Sequence, residues 1–206
     1  MTGILLVDKP SDWTSNDVVQ KLRGVLHERR IGHAGTLDPM ATGLLTVFVG
    51  RATRAVEFAE ADEKRYRAGL RLGLTTDTQD TTGTVLAESG IVPPEGEIET
   101  ALNAFLGVQQ QLPPLYSAIK VEGKKLYEYA RAGKEVARKP RTVEIRAIEP
   151  LGFTAEGEYR FRVTVSKGTY IRTLCNDLGE RLGCGAAMSS LHRLRAGGHE
   201  IGRAHV

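Results

Sequence analysis

Two stretches of strict period-two patterning do most to limit what this chain can fold into. Between Arg65 and Leu72, the residues Tyr66, Ala68, Leu70 and Leu72 fall on one side, and Arg65, Arg67 and Arg71 fall on the other. Between 158 and 166, Tyr159, Phe161, Val163 and Val165 alternate with Arg160, Arg162, Thr164 and Ser166. Successive strand residues point to opposite faces, so each stretch predicts a strand with one face in a core and one in water. A single helix cannot satisfy either pattern. The architecture must therefore be built around a sheet.

The rest of the chain supplies more strands and a few helices. Strands are expected at 3–7 (GILLV, read as short and buried), 44–49, 84–88, around Ile119 and Val121, at 142–148 and at 185–195. Ser15 is positioned to cap a helix with the apolar stripe Val18, Val19, Leu22, Val25 and Leu26. Further helices are expected at 52–61, 97–106, 124–132 (closed by Gly133) and 171–182 (stopped by Gly183). Residues 30–43 read as irregular and 75–83 as a polar loop. Strands outnumber helices and do not strictly alternate with them. The expected class is α+β, a mixed, mainly antiparallel sheet flanked by helices.

The length of 206 residues suits one domain with a modest insertion, and 41% apolar residues are enough for a core. No stretch approaches the roughly 18 consecutive apolar residues of a membrane span. The opening MTGILLVDKP has too short an apolar run and no basic leader for a signal peptide. Cys175 and Cys184 are therefore expected as reduced thiols in a cytoplasmic protein. They form no CxxC, and no histidine stands at ligand spacing from them, so no metal site is expected.

Charge is unevenly placed. Residues 117–146 hold nine Lys or Arg against four Glu, a local +5 in a chain whose total is +3, which leaves −2 elsewhere. Such an excess is either a footprint for phosphates or a solvated face. The segment GHAGTLDPMATG (32–43) is the densest chemical signal. Gly32, Gly35 and Gly43 permit backbone shapes that other residues resist, and Pro39 restricts Asp38 to an extended conformation. They present the Asp38 carboxylate on a defined loop beside an apolar strand. From these residues alone, the segment is either a catalytic loop or a plain Asp-Pro turn.

The same segment, extended to GHAGTLDPMATGLL, resembles the signature of the TruB family, the bacterial tRNA pseudouridine synthases that modify the T loop. Four more segments resemble that family in order: GILLVDKPSDWTS, KRYRAGLRLGLTTDTQDTTG, PPLYSAIKVEGKKLYEYARAG and SKGTYIRTLCNDLGERLG. The resemblance covers roughly 3–196. It implies a pseudouridine synthase catalytic domain at 1–196, with a basic RNA-contacting insertion at about 107–146 and a short tail at 197–206. Most bacterial members continue into a small C-terminal PUA domain. This chain stops at GGHEIGRAHV, so that domain is expected to be lacking.

By this resemblance the activity is isomerisation of uridine to pseudouridine at position 55 of tRNA, after the base is flipped out, with no cofactor. Asp38 is the implied essential carboxylate, acting as nucleophile at C1′ or the base, or as the base that removes a ribose proton. Arg172 is the implied partner that keeps it ionised. A bare arginine is poorly placed at a helix start, which independently favours a carboxylate beside it. Tyr66 is implied to pack on the target base and help with the C5 proton. Its plain reading is a core residue. Tyr170 and Leu191 are implied to line the uracil pocket, and His33 to stack against displaced nucleotides. Lys124, Lys125 and Arg141 of the basic segment are the implied phosphate contacts, with Lys9, Lys64 and Lys167 as further candidates. The expected partner is the T arm and T loop of tRNA, bound by a monomer. The competing class is a tRNA-binding or folding module without catalysis, which has no need of Asp38, Tyr66 and Arg172 together. A nucleotide-binding enzyme is remote, since GxxxxGK[ST] and GxGxxG are both missing.

Overall fold

The structure, a computed structural model, describes residues 1–59, 62–121, 123–134 and 136–201. Glu122 and Glu135 of the basic segment, the expected helix end at 61 and the chain beyond 201 lie outside the described residues, as does the side chain of Arg131. In chain order the elements are β1 (Gly3–Lys9), α1 (Ser15–Leu26), β2 (Ile31–Ala34), β3 (Thr42–Val49), a 3-10 helix (Gly50–Phe58), β4 (Glu63–Leu72), β5 (Leu74–Thr76) and β6 (Val85–Glu88). There follow α2 (Glu95–Asn103), β7 (Gly107–Gln111), β8 (Lys120–Val121), β9 (Lys124–Lys125), α3 (Leu126–Arg131), β10 (Arg141–Phe153), β11 (Tyr159–Ser166), α4 (Ile171–Arg181), β12 (Ala186–Ala196) and β13 (His199–Glu200).

The main sheet runs β1-β3-β12-β4-β11-β10-β7, with β2 added to β3 and β13 added to β12. Its pairs are antiparallel except β3 with β12, which is parallel. The fold is α+β, as the patterning predicts. Strands β4 and β11 lie side by side at its centre, with Tyr66 opposite Val163 and Ala68 opposite Phe161. Their apolar faces meet Ile98 and Leu102 of α2 and Leu174 and Leu178 of α4 in one core. Each such fully buried side chain contributes about 1.5–3 kcal/mol relative to an exposed one. A second cluster forms where Val18 and Val19 of α1 pack on Leu45, Val47 and Val49 of β3.

Several local expectations change. Thr14, not Ser15, caps α1: its side chain accepts from the Asp17 N–H, and Asp17 bonds back to Thr14 in a capping box. Ser15 is instead buried inside the first turn. β1 is not buried on both faces. It is a sheet edge, and Ile4 and Leu6 are about half exposed, at 51% and 47%. Part of the 30–43 stretch is regular, since β2 pairs with β3. The helix expected at 52–61 is a 3-10 helix. The strand expected around 119–121 is a two-residue arm of the β8–β9 hairpin. The first part of the expected tail, β13, folds back on β12. Among the described residues, no helix is long and apolar enough to cross a membrane.

Candidate active site

Asp38 sits on the loop joining β2 to β3, and that loop is clamped from three directions. From β1, the Lys9 ammonium donates to the carbonyls of Pro10 (2.8 Å), Trp13 (2.6 Å) and Pro39 (3.0 Å). From α1, Ser15 Oγ accepts from the Leu37 N–H at 2.9 Å and donates to the Leu37 carbonyl at 3.2 Å. From β12, the buried Arg193 donates through Nε to Leu44 O (2.6 Å) and through Nη2 to Gly35 O (2.8 Å). Gly43 has φ +98°, and a Cβ there would stand 2.4 Å from the Arg193 carbonyl oxygen. Only glycine lets the loop return into β3 at the point where β12 joins it.

Arg172 is the second residue of α4 and its side chain is only 6% exposed. Its Nε lies 2.9 Å from Asp38 Oδ2 as an ion pair, while Nη2 donates to Asp38 Oδ1 at 3.3 Å. It also donates to the carbonyls of Thr78 (3.1 Å) and Tyr116 (2.8 Å). The start of α4 is fixed by Gln111, whose side-chain amide accepts from the Tyr170 N–H (2.8 Å) and donates to the Tyr170 carbonyl (3.0 Å). One guanidinium thus ties together the Asp38 loop, the turn after β5, the chain before β8 and α4.

A cavity of about 510 Å³ opens above this pair. Asp38, Tyr66, Tyr170, Arg172, His33 and Leu191 all line it, and so does Lys125. The structure brings these separate stretches of sequence to one place. The Asp38 side chain is 35% exposed to the cleft. Even so, burial pushes its pKa up; Arg172 pulls it down and a second carboxylate, Asp80, pushes it up. Burial likewise raises the Tyr170 phenol. His33 has its pKa lowered by burial and then by Arg193, which favours the neutral ring, and its Nδ1 has no partner among the described residues.

The remaining basic candidates divide. Lys125 lines the cavity and lies 5.5 Å from the centre of the Tyr127 ring. Lys124 and Arg141 are exposed but outside the cavity lining. Lys64 lines the cavity from β4, and Lys167 pairs with Asp62 at 2.9 Å. Lys9 departs from its expected role. It is fully buried and its ammonium serves three backbone carbonyls, so it clamps the loop and does not face a phosphate. Sequence reasoning missed Asp80, 3.8 Å from Arg172 Nε and 7% exposed. Thr78 and Thr82 hydroxyls and the Thr82 N–H hold its Oδ1. The signal was present in TTDTQDTTG, where threonines flank this aspartate at two residues on each side. Ser15 and Arg193 carried no comparable signal.

A carboxylate paired with a buried guanidinium, beside tyrosine rings in a cavity of about 510 Å³, is equipment for covalent or electrostatic chemistry on a planar ring. Solved structures share this fold. The chain superimposes on a chain of a Cbf5-Nop10-Gar1 complex with TM-score 0.75 and 34% identity, over 97% of this chain and 50% of that one. It also superimposes on a chain of an H/ACA RNP bound to a substrate RNA containing 2′-deoxyuridine, with TM-score 0.71 and 30% identity, over 97% of this chain and 49% of that one. The class, stated by the family models that the chain matches, is that of the pseudouridylate synthases.

Residues 23–171 match the model of the TruB family pseudouridylate synthase N-terminal domain, and residues 172–205 match that of the tRNA pseudouridylate synthase B C-terminal domain. A tRNA pseudouridine synthase B from Opitutus terrae is 48% identical over 94% of this chain and 80% of the relative. One from an Azoarcus species is 48% identical over 98% of this chain and 67% of the relative. The chain belongs to the TruB family of pseudouridylate synthases.

Proposed function

We propose that the chain converts uridine to pseudouridine at position 55, in the T loop of tRNA, with Asp38 as the catalytic carboxylate. The observation that carries this reading is the Asp38–Arg172 pair at the floor of a cavity that Tyr66, Tyr170 and Leu191 also line. A uridine stacked in a folded loop must be flipped out, at a cost of a few kcal/mol. In this reading the uracil stacks on Tyr66, and His33, neutral and flat, lies against the neighbouring bases. Asp38, ionised beside Arg172, assists cleavage of the N1–C1′ bond, whose electron pair leaves with the base. The detached uracil turns, C5 bonds to C1′, the C5 proton is lost with help from Tyr66, which lines the cavity, and N1 takes up a proton from solvent. The reaction is an isomerisation, and atoms balance without a cofactor.

Lys124, Lys125 and Arg141 supply phosphate contacts from the segment 107–146, whose ends β7 and β10 belong to the main sheet while the β8–β9 hairpin and α3 extend beyond it. Replacing all three by neutral residues should flatten the salt dependence of tRNA binding, by about 0.7–0.9 in log–log slope per lost contact. An unchanged slope means that this segment is a solvated face. The working form in this reading is a cytoplasmic monomer, which size-exclusion chromatography with the tRNA will check. The deciding experiment is tritium release from tRNA labelled at uracil C5. Wild type should release it, and Asp38→Asn should bind tRNA without releasing it. Release by Asp38→Asn at the wild-type rate removes Asp38 from the mechanism.

A further inference from the structure

The face of the central sheet turned away from α2 and α4 takes no part in this mechanism, and its charges are oddly arranged. Arg67 of β4 stands directly opposite Arg162 of β11 on one side and His192 of β12 on the other. Arg65, two positions earlier, stands opposite Arg195. Like charges in register destabilise a strand pair. Most arginines of this face are offset by acids: Arg162 by Glu149 (2.6 Å), Arg71 by Glu88 (3.4 Å), Arg160 by Glu158 and Arg195 by Glu63 (4.0 Å). Among the described residues, Arg65 and Arg67 have no carboxylate partner.

Arg67 borders a basin of about 410 Å³, separate from the catalytic cavity but sharing Leu191 with it. Arg160 and His192 line it too, with Thr42, Thr82 and Ser190, whose hydroxyls are already hydrogen-bonded to His192, Asp80 and Glu158. His192 is fixed by a 2.8 Å hydrogen bond between its Nδ1 and Thr42 Oγ1. Burial, and then Arg67, lower its pKa, and the Asp8 carboxylate opposes them. The acid that touches this group, Glu158, is already occupied: its Oε1 accepts from Ser189 (2.7 Å) and Ser190 (2.6 Å), and its Oε2 pairs with Arg160. Among the described residues, no carboxylate lines the basin, and Asp8, which acts on His192 through space, stands outside the lining. The Thr82 and Ser190 hydroxyls already donate to Asp80 and Glu158, so the donors left over are guanidinium N–H groups and the imidazole. That is the donor set for a phosphate. Arg65 and Arg67 are two strand positions apart, roughly 7 Å along one face. A pair of uncompensated guanidinium groups at that spacing suits a chain of phosphates better than one free anion.

We propose that this basin binds a backbone phosphate of the RNA substrate, at a point of the RNA away from the uridine in the catalytic cavity. The inference rests on RNA being the substrate. The test is tRNA binding by fluorescence anisotropy over a salt series, for wild type, Arg67→Gln, Arg65→Gln/Arg67→Gln and Arg67→Lys. Arg67→Gln should weaken binding and lower the log–log slope by about 0.7–0.9, and the double variant by up to twice that. Arg67→Lys keeps the charge and should keep the slope. An unchanged slope in Arg67→Gln overturns the proposal. So does an equal loss in Arg67→Lys, which would mark a packing defect. The His192 ring resonances are followed in parallel during a titration with inorganic phosphate. Their movement without a slope change assigns the basin to free anions and also overturns the RNA reading. Tritium release is read on the same wild-type samples. Binding without release would sink the catalytic reading yet leave the slope comparison intact, so the two failures are distinguishable.

Discussion

Replacing Arg172 by glutamine tests the centre of the site. The variant loses the ion pair to Asp38 at 2.9 Å and the bonds to the Thr78 and Tyr116 carbonyls, and it leaves Asp80 without its cation at 3.8 Å. Removing one partner of a buried pair costs about 3–5 kcal/mol. Asp38 is 35% exposed and therefore partly solvated, which argues for the lower end, about 3 kcal/mol. For a chain of this size each kcal/mol moves Tm by about 2–4 °C, so the melting point should fall by about 6–12 °C. The catalytic loss should be larger than the stability loss implies. A missing electrostatic partner typically lowers turnover by about 10²–10³-fold. The pH profile gives the sign. Arg172 pulls the Asp38 pKa down against burial, which pushes it up. Without Arg172 the pKa rises, less carboxylate is ionised at a given acidic pH, and the acid limb of kcat/KM moves to higher pH. The assay is tritium release as a function of pH, with calorimetry beside it. A variant whose kcat and acid limb both match wild type would falsify the assignment of Arg172 as the group that holds Asp38 ionised.

Two further predictions concern the clamp on the Asp38 loop. Lys9→Met keeps the length of the side chain but loses three charge-assisted bonds. It should lower stability by about 3 kcal/mol, since such bonds are worth about 1.5–3 kcal/mol each and do not add. Its salt slope for tRNA should be that of wild type, and a slope lowered by one phosphate would return Lys9 to the RNA surface. Gly43→Ala forces a Cβ to within 2.4 Å of the Arg193 carbonyl oxygen at φ +98°. Backbone strain of about 1–3 kcal/mol plus the clash should lower Tm and reduce tritium release together. A thermal melt that matches wild type would mean that β3 and β12 are not held this closely.

Some of this protein is determined by the sequence alone. Alternation at 65–72 and 159–166 compels half-buried strands, because side chains on a strand point alternately to two faces. The stripe at Val18, Val19 and Leu22 compels a helix. The quoted segments carry the family resemblance and contain Asp38, Tyr66, Arg172, Tyr170 and His33; these and Leu191, which the resemblance also implies, meet at one cavity. What the sequence does not state is which distant residues become neighbours. Arg172 and Asp38 are 134 positions apart, and Arg193 and Gly35 are 158 apart. Their meeting depends on β12 inserting between β3 and β4, which no local pattern encodes. The same cause explains Lys9. A lysine beside a proline reads as surface by type, and only tertiary packing surrounds it with three carbonyls that replace its water. Asp80 reads as one polar residue among many in a threonine-rich loop until the fold sets it beside Arg172. Local periodicity fixes which face of an element is buried. Only the order of strands in the sheet decides which buried charges share a site, because that order is set by the summed packing of the whole core.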